Sequence, residues 1–227
     1  DTYNPECTLD YVHHEKLFNS FDNFAKWCQT IGISNAADLN EIISQGKYNE
    51  LIRLSETYYN NQLSNIAEKI YNNKNNVRLV LIAGQSSSGK TTTSKKLEVY
   101  LQSKGIKTHQ ISIDDYFYNR DKTPRLPNGE LDTESLNAVD VTLFNKHLTK
   151  LLEGETVELP EYNFLLGKRE YNGKKLKIGK DDMIIIEGLH GLNDDLTLSI
   201  ERKNKYKIYI SALTQLNVDN HNRIHTS

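Results

Sequence analysis

Residues Gly84-Gln85-Ser86-Ser87-Ser88-Gly89-Lys90-Thr91 follow the spacing G-x-x-x-x-G-K-[ST], with a further hydroxyl at Thr92. Two glycines and a run of small serines let a backbone curl until successive N–H groups point at one centre, which suits the oxygens of a phosphate chain. A helix starting at Lys90 would add the positive end of its dipole. The lysine then brings a full charge to the β- and γ-phosphates, and the Thr91 hydroxyl a place in the shell of Mg²⁺. An acidic partner for that cation is expected at a neighbouring strand end, and Glu187, after Met183-Ile184-Ile185-Ile186, fits. A second acidic group follows Ile111-Ser112-Ile113: Asp114-Asp115, and then Tyr116-Phe117-Tyr118. Phosphoryl transfer to a hydroxyl gains from a carboxylate that takes the proton and aims the oxygen, and aromatic rings beside it suit a planar ligand.

These groups need a scaffold, and the hydrophobic pattern supplies one. From Val77 onward short β-rich runs at 79–83, 111–113, 183–186 and 207–211 alternate with helical patterns at about 90–104, 140–153 and 193–201. Three of the runs are almost continuously apolar, as strands covered on both faces are. The alternation predicts an α/β fold, a doubly wound and mostly parallel sheet with ligands at the carboxyl ends of the strands. Before residue 75 the texture is helical. Leu17, Phe21, Phe24 and Trp27 recur at helical spacing, Asn35 is placed to cap a short helix ended by Gly46, and a longer pattern runs from Leu51 to Ile70. These apolar stripes are expected to face a core. The division that follows is a helical segment, 1–75, and a phosphate-loop domain, 76–227.

Taken together, Gly84 to Thr91, Asp114-Asp115-Tyr116-Phe117, Pro160-Glu161-Tyr162-Asn163-Phe164 with Arg169, and Ile186-Glu187-Gly188 resemble the uridine kinase/phosphoribulokinase family over about residues 77–227. Within the family the resemblance is to bacterial uridine kinase-like proteins that carry extra N-terminal domains. It implies a P-loop kinase that uses ATP and Mg²⁺. Asp114 would be the general base and Lys90 the catalytic cation, with residues Gly84–Thr92 on the nucleotide and Thr91 and Glu187 on the metal. Asp132 would hold ribose hydroxyls, and Tyr116, Tyr162, Phe164 and Arg169 would line a nucleoside or a related sugar-containing acceptor. Three departures stand out, the first a stretch from Asp132 to Asp140 longer than that of uridine kinases. Gly167 occupies the place of a base-reading histidine, and an arginine-rich lid, implied beyond Asn217, is not recognisable in the residues up to Ser227, where Arg223 is the one arginine.

Composition narrows the alternatives. The 227 residues hold 28 Lys+Arg against 30 Asp+Glu, so no global charge draws nucleic acid or anionic lipid. The lysines at 174, 175, 177 and 180 read as a solvated face, since stacking aromatics are not interleaved with them. No apolar run nears the roughly 20 residues of a membrane span. Cys7 and Cys28 have no metal-ligand spacing and read as reduced thiols of a cytoplasmic protein. The adjacent His13 and His14 lack a third ligand at useful spacing. Asp1–Asn4 lacks a basic and then apolar leader, and a sequence without an initial Met is expected to be a piece of a longer one. Asn145-Lys146-His147-Leu148 lacks the aspartate that reads guanine. A small-molecule kinase is thus weighed against a nucleotide-binding regulatory module, with a homo-oligomer left open.

Overall fold

The computed structural model describes residues 15–211 and 216–219; Cys7, the His13-His14 pair and Arg223 lie outside them. The described residues form two compact units, one of 55–211 and a smaller one of residues up to 54 together with 216–219. The division falls inside a helix rather than at residue 75. Its physical reason is that Ala67 and Ile70, on the second half of that helix, are buried with the core of the larger unit.

The smaller unit holds α1 (Glu15–Thr30), α2 (Ala36–Ser44) and the start of α3 (Tyr48–Asn72). Asn35 caps α2 as its position predicts. Its side chain accepts from the N–H groups of Ala37 and Asp38, and Asp38 reaches back to the Asn35 N–H, a reciprocal capping box. The apolar stripes here are less buried than their spacing predicts. Leu17, Ile43, Ile52 and Leu54 are exposed, and Cys28 is the buried residue of α1.

In the larger unit, β1 (Leu79–Gly84), β2 (Thr108–Ser112), β7 (Met183–Glu187) and β8 (Lys205–Ile210) form a parallel sheet in the order β2-β7-β1-β8. The two helices between them are α4 (Lys90–Ser103) and α5 (Val141–Leu152). Alternate residues of β1 serve opposite layers. Leu79 and Leu81 pack with Phe144, Leu148 and Leu151 of α5, whereas Val80 and Ile82 pack with Leu97 and Leu101 of α4 and with Ala67 and Ile70. This is why the strand reads as an unbroken apolar run. Four short strands make two antiparallel pairs: β3 (Val157–Glu158) with β6 (Lys175–Leu176), and β4 (Glu161–Asn163) with β5 (Lys168–Glu170).

One predicted helix is absent. Residues 193–201 instead contain a single 3₁₀ turn, Asp194–Thr197, with a second at Arg202–Asn204. The Asn145 side chain of α5 donates to the Leu196 carbonyl and accepts from the Ser199 N–H, so this backbone is satisfied from outside rather than by its own helical ladder. Among the described residues no helix is long and apolar enough to cross a membrane.

Candidate active site

Three of the four sheet strands deliver chemistry at their carboxyl ends. β1 ends at Gly84, and the loop Gln85–Gly89 turns directly into α4, which begins at Lys90. Gly84 is dictated by crowding: a Cβ there would stand 2.4 Å from the Ile210 carbonyl oxygen of β8 and 2.6 Å from Ser88 Oγ. The loop passes through Ser87 with φ +59°. The Lys90 ammonium donates to the Gln85 carbonyl at 2.8 Å, and the exposed Thr91 and Thr92 stand on the first turn of α4. Ser88 Oγ is buried and has no hydrogen-bond partner among the described residues. An unsatisfied hydroxyl beside a helix N-terminus suits a phosphate oxygen.

β7 ends at Glu187, opposite Ser112 of β2 and Ile82 of β1. The Ser112 hydroxyl donates to Glu187 Oε1 at 3.2 Å and accepts from the Asp114 N–H at 3.3 Å. One serine thus ties together the two strand ends that carry the carboxylates. The Ile113 N–H donates to the Glu187 carbonyl, and Asp114 begins a short 3₁₀ turn. Burial raises the Asp114 carboxyl above the usual aspartate range; the nearby Glu187 charge adds to this, and Lys90 opposes it. Asp114, Glu187 and Lys90 are therefore gathered within electrostatic reach of one another. Among the described residues no group of three or more His, Cys, Asp or Glu could hold a metal by protein ligands alone. Thr91 and Glu187 each carry the oxygen donors that Mg²⁺ takes beside waters and phosphate oxygens.

Asp115 does something else. Its Oδ1 accepts from the Tyr162 N–H at 3.1 Å, which pins the β4–β5 hairpin beside the 3₁₀ turn. Tyr162 and Phe164 are brought together there, with ring centroids 5.1 Å apart.

Tyr116 does not line the acceptor side. It is buried in the core, packed edge-on against Phe144 at 4.8 Å, and its hydroxyl shares a 3.1 Å hydrogen bond with His147 Nδ1. Burial holds the tyrosine hydroxyl in its protonated form and lowers the His147 pKa. The ring that does face the hairpin is the next one, Phe117, 5.7 Å from Tyr162. In a 3₁₀ turn successive side chains point about a third of a turn apart, so one residue of error exchanges a core ring for a site ring. Tyr116→Phe is expected to lower stability by about 1–2 kcal/mol, because His147 loses its partner, with the acceptor KM unchanged. Phe117→Ala is expected to raise that KM. Thermal melts and steady-state kinetics on the two variants check the exchange.

The remaining two expected residues are held by partners in the fold, although Arg169 stands opposite Tyr162 across the β4–β5 pair. Asp132 accepts from the Ser135 N–H at 3.1 Å, closing a turn, and it is not among the charges that act on Asp114. Arg169 pairs with Asp140 at 3.1 Å and lines a pocket of about 250 Å³ with Tyr118, Asn119, Lys122 and Tyr171. Its guanidinium is thus partly committed to the fold. A larger open cleft of about 580 Å³, bordered by Lys95, Glu98, His109 and Lys174, contains none of the expected site residues.

A phosphate loop at the end of a central parallel strand, facing carboxylates from two neighbouring strand ends, defines a P-loop phosphotransferase type of site. The signature of the phosphoribulokinase/uridine kinase family matches residues 79–225, and the chain belongs to that family, whose members are P-loop kinases that use ATP. Its similarity to curated proteins is moderate. It is 34% identical to a uridine kinase of Mycoplasma genitalium over 134 residues, covering 59% of this chain and 60% of that one. It is 35% identical to a uridine kinase of Vibrio vulnificus over 120 residues, covering 51% and 54%. It is also 33% identical to an inorganic pyrophosphatase of Arabidopsis thaliana, covering 52% of this chain and 16% of that one. The chain spans between half and two thirds of the length of the two uridine kinases. Among solved structures, a possible uridine kinase from Bacillus stearothermophilus superposes with a TM-score of 0.46 at 24% identity, covering 59% of this chain and 70% of that one.

Proposed function

We propose that the protein transfers the γ-phosphate of ATP, with Mg²⁺, to a hydroxyl of a nucleoside or a related sugar-containing small molecule. The observation that carries this reading is the grouping of Asp114, Glu187 and Lys90 around the phosphate loop, with Asp114 held above the ordinary aspartate range. The loop amides and Ser88 hold the β- and γ-phosphates, and Lys90 balances the charge that spreads over the transferring group. Thr91 and Glu187 hold Mg²⁺, which supplies further charge neutralisation on the phosphate oxygens. Asp114 accepts the proton of the acceptor hydroxyl as its oxygen forms the new bond to the γ-phosphorus. The bond from that phosphorus to the bridging oxygen breaks, and ADP leaves. Phe117, Tyr162 and Phe164 form the aromatic side against which the acceptor packs, and Asp132 holds its hydroxyls. Arg169, at the rim of the same side, orients it through the donors that Asp140 does not use.

A coupled ADP-release assay against uridine, cytidine, other nucleosides and sugar phosphates tests the proposal. Acceptor-dependent ADP release is expected for at least one of them. ATP binding by calorimetry, with no turnover on any acceptor, would overturn the kinase reading in favour of a regulatory nucleotide-binding module.

A further inference from the structure

The tip of the β4–β5 hairpin has an unusual neighbour. Gly167 sits at φ +64°, and the Arg120 side chain lies so close over its Cα that a Cβ there would meet Arg120 Cδ, Nε and Cγ at 2.3–2.5 Å. The arginine is anchored twice more: its backbone N–H donates to the Gly167 carbonyl at 3.0 Å, and Nη2 donates to the Phe164 carbonyl at 2.8 Å. The guanidinium is therefore held at a fixed place, one that a glycine at 167 makes possible. That place is the far end of an aromatic row that starts beside Asp114. Phe117, three residues after the carboxylate, packs on Tyr162, Tyr162 packs on Phe164, and the Phe164 carbonyl holds Arg120.

Four carboxylates of the hairpin and of the segments packed on it have other partners. Asp140 pairs with Arg169, Glu170 accepts from Asn163, Glu161 accepts from Asn172, and Asp115 accepts from the Tyr162 N–H. Among the described residues no ion pair involves Arg120. A guanidinium offers five N–H donors in a planar fork. One is used by the Phe164 carbonyl, so the others are left for a planar or tetrahedral oxyanion, the ligand that this geometry matches best.

We propose that Arg120 is a specificity-determining residue of the acceptor site, selecting acceptors with an anionic group, carboxylate or phosphate, remote from the hydroxyl that is phosphorylated. This narrows the acceptor class of the function proposed above and rests on that reading. ADP release is measured with ribose 5-phosphate, gluconate and uridine on the wild type, Arg120→Ala, Arg120→Lys and Gly167→Ala, the last displacing the guanidinium without removing it. Calorimetry of the same compounds, with the nonhydrolysable ATP analogue bound, runs in parallel. The expected result is a preference for an anionic compound, whose KM rises about 10–100-fold in Arg120→Ala and less in Arg120→Lys, while kcat and the KM for ATP change little. A preference for uridine, or an anionic acceptor whose KM is indifferent to Arg120→Ala, would overturn it. Should turnover be absent while calorimetry finds Arg120-dependent anion binding, the kinase reading falls and the role of Arg120 in selection stands. If neither signal is seen, both fall.

Discussion

Asp114→Asn should lower kcat by about 10²–10⁴-fold while leaving ATP affinity nearly unchanged. The variant keeps the shape of the side chain, the 3₁₀ turn and the hydrogen bond from the backbone N–H to Ser112, and removes the group that takes the proton. The wild-type pH profile follows from the same environment. Because burial and the Glu187 charge raise the Asp114 pKa, the acid limb of kcat/KM should lie at a higher pH than an ordinary carboxylate gives, with activity lost as pH falls through the raised value. Stability runs the other way. A carboxyl whose folded pKa is raised favours its protonated form, so its contribution to folding is fully present below the unfolded pKa. That contribution is lost as pH rises through the folded value. The asparagine carries no charge to bury, so at neutral pH the variant should melt at or above the wild-type temperature. Loss of turnover with an equal or higher Tm marks a functional group. Unchanged turnover would remove Asp114 from the role.

Much of this site is legible in the residues because backbone physics fixes it. A strand buried on both faces must read apolar throughout, so the ends of β1 and β7 announce themselves where Gly84 and Glu187 interrupt the run. The phosphate loop is a local device, complete within eight residues, and its flanking strand and helix are predicted to within one residue of Leu79–Gly84 and Lys90–Ser103. What spacing cannot convey is which way a side chain leaves a short irregular turn. Tyr116 and Phe117 are equally aromatic and adjacent, and only the packing of Phe144 and His147 decides that the first belongs to the core. Arg120 is invisible for a related reason. It lies 47 positions from Gly167 in the chain, and no periodicity links an arginine in a loop to a glycine at a hairpin tip. The useful signal was the glycine itself, since a residue without a side chain in an aromatic-lined hairpin leaves room for another group. The helix expected over 193–201 fails because Asn145, remote in sequence, supplies the hydrogen bonds that the segment would otherwise make internally.

Lys90→Met should reduce kcat by about 10²–10³-fold, the scale on which removing one group that stabilises transition-state charge acts. Methionine keeps most of the aliphatic stem, so α4 should still begin where it does, and the change removes the charge and the hydrogen bond to the Gln85 carbonyl. A second consequence separates this variant from a merely loosened loop. Among the described residues Lys90 is the cation whose charge lowers the Asp114 pKa, against burial and the two neighbouring carboxylates. Taking it away leaves the opposing influences in place, so the Asp114 pKa should rise further. The acid limb of the residual kcat/KM profile should therefore move to higher pH than in the wild type, which requires the two groups to share one field across the site. Loss of the Gln85 contact alone would weaken ATP binding and leave the limb where it was. Steady-state rates between pH 5 and 9, with ATP saturating, distinguish the two: a lower plateau with an upward-shifted limb supports the shared site. An unshifted limb would mean that Lys90 and Asp114 act on different parts of the reaction.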